Sequence, residues 1–133
     1  MTEQTLRGLL DQDRFVQYAG ITLEQVDEGV ATARLQLQEH HLNGANIVQG
    51  GAIYTLADFA LAAVANYSGR VTVTANATIN YLRPANGSFI EAHARVVHQT
   101  NSLCFVEVEV VNDQNELVAT FSGTGYRTKK TLE

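Results

Sequence analysis

Apolar and polar side chains alternate along most of this chain with a period of two, which is typical of strands that bury one face. The alternation is clearest in residues 71–82, where every second residue is apolar. Turn residues at 27–29 and 112–115 separate neighbouring segments. The pattern predicts six strands, at 21–29, 30–38, 71–82, 88–99, 103–111 and 117–127.

Two segments have a helical pattern instead. Residues 3–12 place three leucines on one face, which predicts a short amphipathic helix. Residues 50–67 are apolar nearly all round and end at Ser68-Gly69, which predicts a long buried helix. The order α-β-β-α-β-β-β-β, with short turns between consecutive strands, favours antiparallel pairs. We therefore expect an α+β fold in which a curved antiparallel sheet wraps one central helix.

Length, charge and cysteine content narrow the class of protein. The 133 residues, with no linker or repeat, predict a single domain over 1–133. The net charge of −5 leaves no basic surface for nucleic acid, and no apolar run is long enough to cross a membrane. One cysteine, Cys104, excludes an internal disulfide. With no signal peptide at the N-terminus, we expect a cytoplasmic protein whose partners are small molecules.

The central helix opens on Gly50-Gly51. Glycines remove side chains where the first backbone N–H groups of a helix have no partner, and the helix dipole is positive there. Such N–H groups can stabilise an oxyanion, with Gly51 giving a substrate close approach. The alternative is that the glycines only let the loop turn into the helix.

Asp58 is the one formal charge in this helix. A buried carboxylate is costly unless it is hydrogen-bonded, so its presence indicates a function. The alternative is an Asp that bonds a neighbouring loop or lies at a groove. Asp58 follows Gly50 by eight residues, about 12 Å along the axis, so one reacting carbon cannot touch both in one chain. Either the two are unrelated, or they meet across a two-fold axis in a homodimer.

The run from His41 to Gly51, followed by Leu56-Ala57-Asp58, resembles a family signature. It is similar to hotdog-fold acyl-CoA thioesterases of the phenylacetate-degradation (PaaI) type, whose motif reads approximately H-x-N-(x)5-H-G-G-(x)4-L-x-D. Residues 72–85 also resemble the strand that follows the central helix in that family. The resemblance covers nearly the whole chain, but Gln49 stands where the family commonly has His.

The resemblance implies hydrolysis of an acyl-CoA thioester to a carboxylic acid and coenzyme A. Asp58 would be the general base or nucleophile, Gly50 N–H would polarise the thioester carbonyl, and Asn43 would orient the site. Double-hotdog dimers that pair into tetramers are implied, with no cofactor except the coenzyme A of the substrate and no metal. Gln49 can donate a hydrogen bond through its amide, but it cannot titrate near neutral pH as His does.

A polar row on the strand after the helix could line the site near Asp58, with Thr74 and Asn76 positioning water; the alternative is a solvent-facing edge. Arg83 could bind the phosphates of coenzyme A. The basic tail 127–130 is a second candidate for those phosphates. Both could equally be solvated charges.

The remaining chemistry-bearing residues favour structural roles. His40 and His41 lack a third convergent ligand for a metal, and we expect local hydrogen bonding. His93 and His98 differ by five positions, so we expect them on opposite faces of the sheet. Two rival functions stay open: an acyl-CoA-binding or regulatory protein with little turnover, and a 3-hydroxyacyl thioester dehydratase. The dehydratase would want a His at the helix, which this helix lacks.

Overall fold

In the computed structural model, which describes residues 3–132, one six-stranded antiparallel sheet curves round a central helix. Residues 1, 2 and 133 of the predicted domain lie outside the described residues. The helices are α1 (Glu3–Leu10), α2 (Arg14–Ala19) and α3 (Gly50–Asn66). The strands are β1 (Ile21–Asp27), β2 (Val30–Gln36), β3 (Arg70–Tyr81), β4 (Phe89–Gln99), β5 (Leu103–Asn112) and β6 (Leu117–Thr131). A 3-10 turn lies at Glu39–His41.

The order of strands in the sheet is β1-β2-β4-β5-β6-β3. Consecutive strands pair antiparallel in β1–β2, β4–β5 and β5–β6. The strands β2 and β3, which flank α3, do not pair, and neither do β3 and β4, because β3 lies at the edge beside β6 and β4 lies between β2 and β5. The connection from β3 to β4 is residues 82–88, which contain Pro84 and form no hairpin. The result is the helix-in-sheet arrangement of the hotdog fold.

Helix α3 packs on the concave face of the sheet through small and branched side chains such as Leu56, Ala60 and Leu61, all fully buried. On β6, a side chain at Gly123 would overlap Leu61, so glycine lets the helix approach the sheet closely. The sequence suggested a helix that is buried on all sides, but one side of α3 is partly exposed in the structure. A stripe through Gly51, Thr55 and Asp58 is left partly exposed because no strand of the same chain covers it.

A β-bulge divides the polar row of β3. The pairing with β6 shifts between Thr74 and Asn76, so one extra residue interrupts the alternation. Thr72 and Thr74 lie on the helix side, whereas Asn76 and Thr78 line a groove on the outer face of the sheet. The predicted place of Asn76 beside Asp58 is therefore wrong for a single chain.

A second bulge corrects the prediction for the histidines of β4. The pairing with β5 shifts between Val96 and His98, which reverses the parity of the positions that follow. His93 and His98 both lie exposed on the outer face rather than on opposite faces. Two insertions of a single residue thus decide which polar side chains can reach the helix.

Helix α2 is absent from the sequence-based expectation, although its boundaries are signalled. The side chain of Asp13 accepts a hydrogen bond from Val16 N–H at 3.1 Å, and Gly20 ends the helix with φ of +88°. The helix leaves Phe15 and Tyr18 71% and 90% exposed. Among residues 3–132, no helix is long and apolar enough to cross a membrane.

Candidate active site

The loop before α3 is held by Asn43. Its Oδ1 accepts hydrogen bonds from Ala45 N–H at 2.9 Å and Ile47 N–H at 3.2 Å, and its backbone N–H donates to Ile47 C=O at 2.8 Å. These bonds close the loop on itself immediately before the helix. Asn43 therefore fixes the approach of the chain to Gly50, and its role in orienting the active site stays a prediction.

His41 anchors the other end of this loop. Its Nδ1 accepts the Gln38 N–H at 3.0 Å, so Nε2 carries the proton and donates to Ala19 C=O at 2.8 Å. The ring is 5% exposed, and both nitrogens have partners. Local hydrogen bonding, as expected from the sequence, accounts for this residue, and it joins α2 to the loop.

The first turn of α3 leaves one backbone donor open. Gln49 caps the helix, its Oε1 accepting the Gly51 N–H, and its C=O accepts the Ala52 and Ile53 N–H groups at 2.9 and 3.4 Å. Among residues 3–132, the Gly50 N–H has no acceptor. Because Gln49 uses its oxygen in the cap, its amide NH₂ is the end left free. This open N–H has the character of an oxyanion donor.

Tyr81 holds the same turn from β3. Its hydroxyl donates to Gly50 C=O at 2.9 Å, and its ring lies 3.1 Å from where a Cβ at Gly50 would stand. Gly50 has no positive φ, so the space taken by Tyr81 explains the glycine better than backbone strain does. About half of the Tyr81 side chain is exposed, but partial burial of the phenol, reinforced by nearby Tyr54, raises its pKa. The phenol is thus a donor across the physiological pH range.

Asp58 lies two turns further along α3, on the partly exposed stripe. Thr74 donates its hydroxyl to Asp58 Oδ1 at 2.7 Å, so the helix side of β3 orients the carboxylate. Among residues 3–132, no other donor bonds this side chain, and Oδ2 is open to a reactant. Deep burial, which the sequence suggested, is wrong for the single chain: the side chain is half-buried, at the edge of the uncovered face.

Two grooves flank the head of α3, and Tyr81 lines both. The larger, of about 780 Å³, lies between α2 and α3, and its lining includes Phe15, Tyr18, Tyr54 and Gln49. The smaller, of about 380 Å³, runs past Gly50 and Arg83. Sequence reasoning missed Phe15 and Tyr18 because it missed α2.

The Thioesterase superfamily profile matches residues 45–119, from the loop before α3 to the first residues of β6. The chain belongs to this family. It is 32% identical to the acyl-coenzyme A thioesterase PaaI of Escherichia coli, over 97% of this chain and 93% of that protein. The predicted resemblance is confirmed, and with it the prediction of an enzyme of the thioesterase class.

Solved structures of relatives agree with the observed fold. The E. coli PaaI structure superposes with a TM-score of 0.92 at 32% identity, covering 96% of this chain and 94% of that one. A Streptococcus mutans protein, solved with acetyl-CoA bound, has a TM-score of 0.80 at 26% identity and covers 84% of this chain and 91% of its own. The predicted hotdog fold is confirmed.

Of the other residues with reactive or charged side chains in this thioesterase, Arg83 is a predicted site residue and Cys104 is not. Arg83 is near Gly50, but its guanidinium pairs with Glu116 at 2.8 Å where both side chains are about half exposed. Cys104 is buried in the core, and this burial raises the pKa of its thiol. Within residues 3–132, no group of three His, Cys, Asp or Glu side chains could hold a metal ion.

Proposed function

We propose that this thioesterase hydrolyses an acyl-CoA thioester to a free carboxylic acid and coenzyme A. The observation that carries the proposal is the single open N–H of Gly50 on the helix that also bears Asp58, with Oδ2 free. Relatives named as acyl-CoA thioesterase, or solved with acetyl-CoA bound, support coenzyme A as the carrier of the acyl group. A cofactor or metal has no step to perform in this scheme.

In the proposed reaction Asp58 acts on the thioester carbon in one of two ways. As a general base it takes a proton from water, and the hydroxide adds to the carbonyl; as a nucleophile it adds directly and forms an anhydride that water then cleaves. In both cases the carbonyl oxygen becomes negative, and Gly50 N–H stabilises it. The C–S bond then breaks and coenzyme A leaves as the thiolate. It becomes the thiol by taking the proton that Asp58 accepted from water or, in the anhydride route, the proton that is released when water cleaves the anhydride. Thr74 holds Oδ1 so that Oδ2 faces the reaction.

The site is completed by a second copy of the chain. Gly50 and Asp58 are about 12 Å apart along α3, so each serves a different thioester. Strand β3 is an edge of the sheet, and its exposed Tyr81, next to the exposed Leu82, offers apolar area beside the uncovered face of α3. A two-fold axis here would bring Gly50 of one subunit to Asp58 of its partner. Pairing of two such dimers into a tetramer is part of the proposal.

Mixed dimers test the composite site directly. A subunit with Asp58→Asn is combined with one carrying Gly50→Pro, which removes the open N–H. Each homodimer is inactive, but a mixed dimer keeps one site with both native groups. Random one-to-one assembly should recover about a quarter of wild-type thiol release. Half of the dimers are then mixed, and in each mixed dimer one of the two sites is intact. No recovery above the two homodimers would refute the shared site.

A protein that binds acyl-CoA with little turnover is the second candidate. Gln49 favours it, because an amide cannot exchange a proton at neutral pH as the family's His can. Calorimetry and thiol release on the same panel of acyl-CoA thioesters separate the two functions. Tight binding without thiol release would establish the binding protein. The cytoplasmic location stays a prediction, which cell fractionation tests.

A further inference from the structure

Four of the nine Lys and Arg residues of this acidic protein collect at one place in the fold. Arg70 begins β3, while Arg127, Lys129 and Lys130 lie near the end of β6, which pairs with it. We call these four residues the basic corner. The sequence predicted that the last strand ends at 127 and that a basic tail follows, but β6 continues to Thr131, so the charges are held on a strand. Among residues 3–132, no carboxylate pairs with any of the four.

Backbone carbonyls fix the two guanidinium groups. Arg70 Nε donates to Thr128 C=O and Nη2 to Arg127 C=O, both at 2.9 Å, and Arg127 Nη1 donates to Thr100 C=O at 2.6 Å. These bonds satisfy some donors but neutralise no charge. Arg127 Nε is enclosed and has no hydrogen-bond partner among the described residues. Lys129 and Lys130 are exposed, so their ammonium groups are available to an anion.

The basic corner lies along the strand that carries Thr74. Arg127 stands opposite Thr72, two residues before Thr74, which is about 7 Å at the rise of a strand. Arg70 is four residues before Thr74, about 13 Å away. Coenzyme A separates its thioester from its phosphates by an arm with two amides, which spans roughly 15 Å when extended. The corner thus lies at the distance where phosphates would fall when the thioester is at Asp58.

We propose that the basic corner binds the phosphate groups of the coenzyme A moiety, an assignment that rests on the proposed function. The protein carries a net charge of −5 and would repel an acyl-CoA unless a local positive surface received its phosphates. Arg83, the other candidate, is already paired with Glu116. The unneutralised charges of the corner make it the better phosphate site, with charge-assisted hydrogen bonds from Lys and Arg.

The test removes the exposed charges of Lys129 and Lys130, whose ammonium groups take part in no contact that holds the fold. The variant Lys129→Gln with Lys130→Gln is compared with Arg14→Gln plus Arg95→Gln, a control that loses two exposed, unpaired charges elsewhere. Each is assayed on an acyl-CoA and on the same acyl group carried by N-acetylcysteamine, which lacks phosphates. We expect kcat/KM for the acyl-CoA to fall about tenfold through KM in the lysine variant only. The truncated thioester should react alike with all three proteins, and the lysine variant should lose part of the salt dependence.

Direct binding measurements keep the test of the basic corner separate from the test of the proposed hydrolysis. If wild type releases no thiol from either substrate, hydrolysis fails, and calorimetry with free coenzyme A and with pantetheine decides the phosphate site. A weaker Kd for coenzyme A in the lysine variant, with pantetheine unchanged, supports the corner. Equal loss with both substrates, no loss with acyl-CoA, or the same loss in the arginine control would each overturn it.

Discussion

The two functional positions of α3, its first turn and its midpoint, are built to different degrees. At the glycine end, the Asn43 loop, the Gln49 cap and the Tyr81 hydroxyl fix the turn so that one N–H is left open. Asp58, two turns on, has one hydrogen bond, from Thr74, and lies on a face that the chain does not cover. The Gly50 N–H is therefore preorganised within one chain, whereas in the proposed dimer a second copy would complete the surroundings of the carboxylate.

The largest expected effect comes from Asp58, the position that is held by fewer contacts. Asp58→Asn keeps the shape and an acceptor oxygen for Thr74 but removes the base or nucleophile. We expect kcat to fall at least about 10³-fold, within the range of a lost acid–base group. Thiol release from an acyl-CoA measures it, with an unchanged melting temperature as the control. Activity within tenfold of wild type would remove Asp58 from the chemistry.

At Gly50, a comparison of proline with alanine separates the loss of the N–H donor from the effect of adding a side chain. Both place a Cβ near the Tyr81 ring, 3.1 Å away, but only Gly50→Pro removes the N–H. The backbone accepts proline, because Gln49 has φ −62° and ψ 132° and proline suits the first helical position. We expect kcat about 10²-fold lower for Pro than for Ala, the usual cost of an oxyanion donor. Equal kcat values would place that donor elsewhere.

Thr74→Val tests how much the hydrogen bond from Thr74 to Asp58 contributes to kcat. Loss of a bond to a charged group costs about 1.5 kcal/mol, so we expect kcat to fall about tenfold. Thr78→Val is the matched control, since Thr78 is on the same strand but on the outer face beyond the bulge. A similar loss in both variants would mean that the strand, and not the hydroxyl, matters to the carboxylate.

The sequence predicts most of this architecture because its periodicities are strong. Six strands and the long helix are where the alternation and the apolar run place them, and the motif from Asn43 to Asp58 lies on one loop and one helix. What failed depends on single residues. One-residue bulges at 75 and 97 reverse the facing of Asn76 and His98, and nothing in the local composition signals them.

Other differences arise from contacts distant in sequence. Tyr81 reaches Gly50 across 31 positions, so its role in the first turn of α3 cannot be read from spacing. Helix α2 has only six residues, too short for a periodic pattern, although Asp13 and Gly20 mark its ends. The partial exposure of Asp58 follows from the edge position of β3, which is a property of the sheet order.

Gln49→Ser separates the helix-capping role of the Gln49 side chain from the hydrogen-bond donor of its free amide. Serine is a good helix cap, so the Gly51 N–H keeps an acceptor, but the NH₂ donor is lost. If that donor helps to hold the thioester carbonyl, kcat should fall about fivefold, the size of a neutral hydrogen bond, with the melting temperature unchanged. Gln49→Ala is the comparison, since it loses both and should also lower the free energy of unfolding by about 1 kcal/mol. Unchanged kcat in the Ser variant would confine Gln49 to capping.

Tyr81→Phe should have the smallest effect at the glycine end. The ring stays beside Gly50 and only the bond to its C=O is lost, so we expect kcat to fall about threefold, with KM unchanged.

Because burial raises the Tyr81 pKa, the folded protein keeps this proton above the pH at which the unfolded chain releases it. Wild type should therefore lose free energy of unfolding relative to the Phe variant only as pH rises above 10, and not below. Tyr126→Phe, similarly exposed on the outer face, should leave kcat unchanged, and a matching fall in kcat there would mean that the glycine end does not depend on Tyr81.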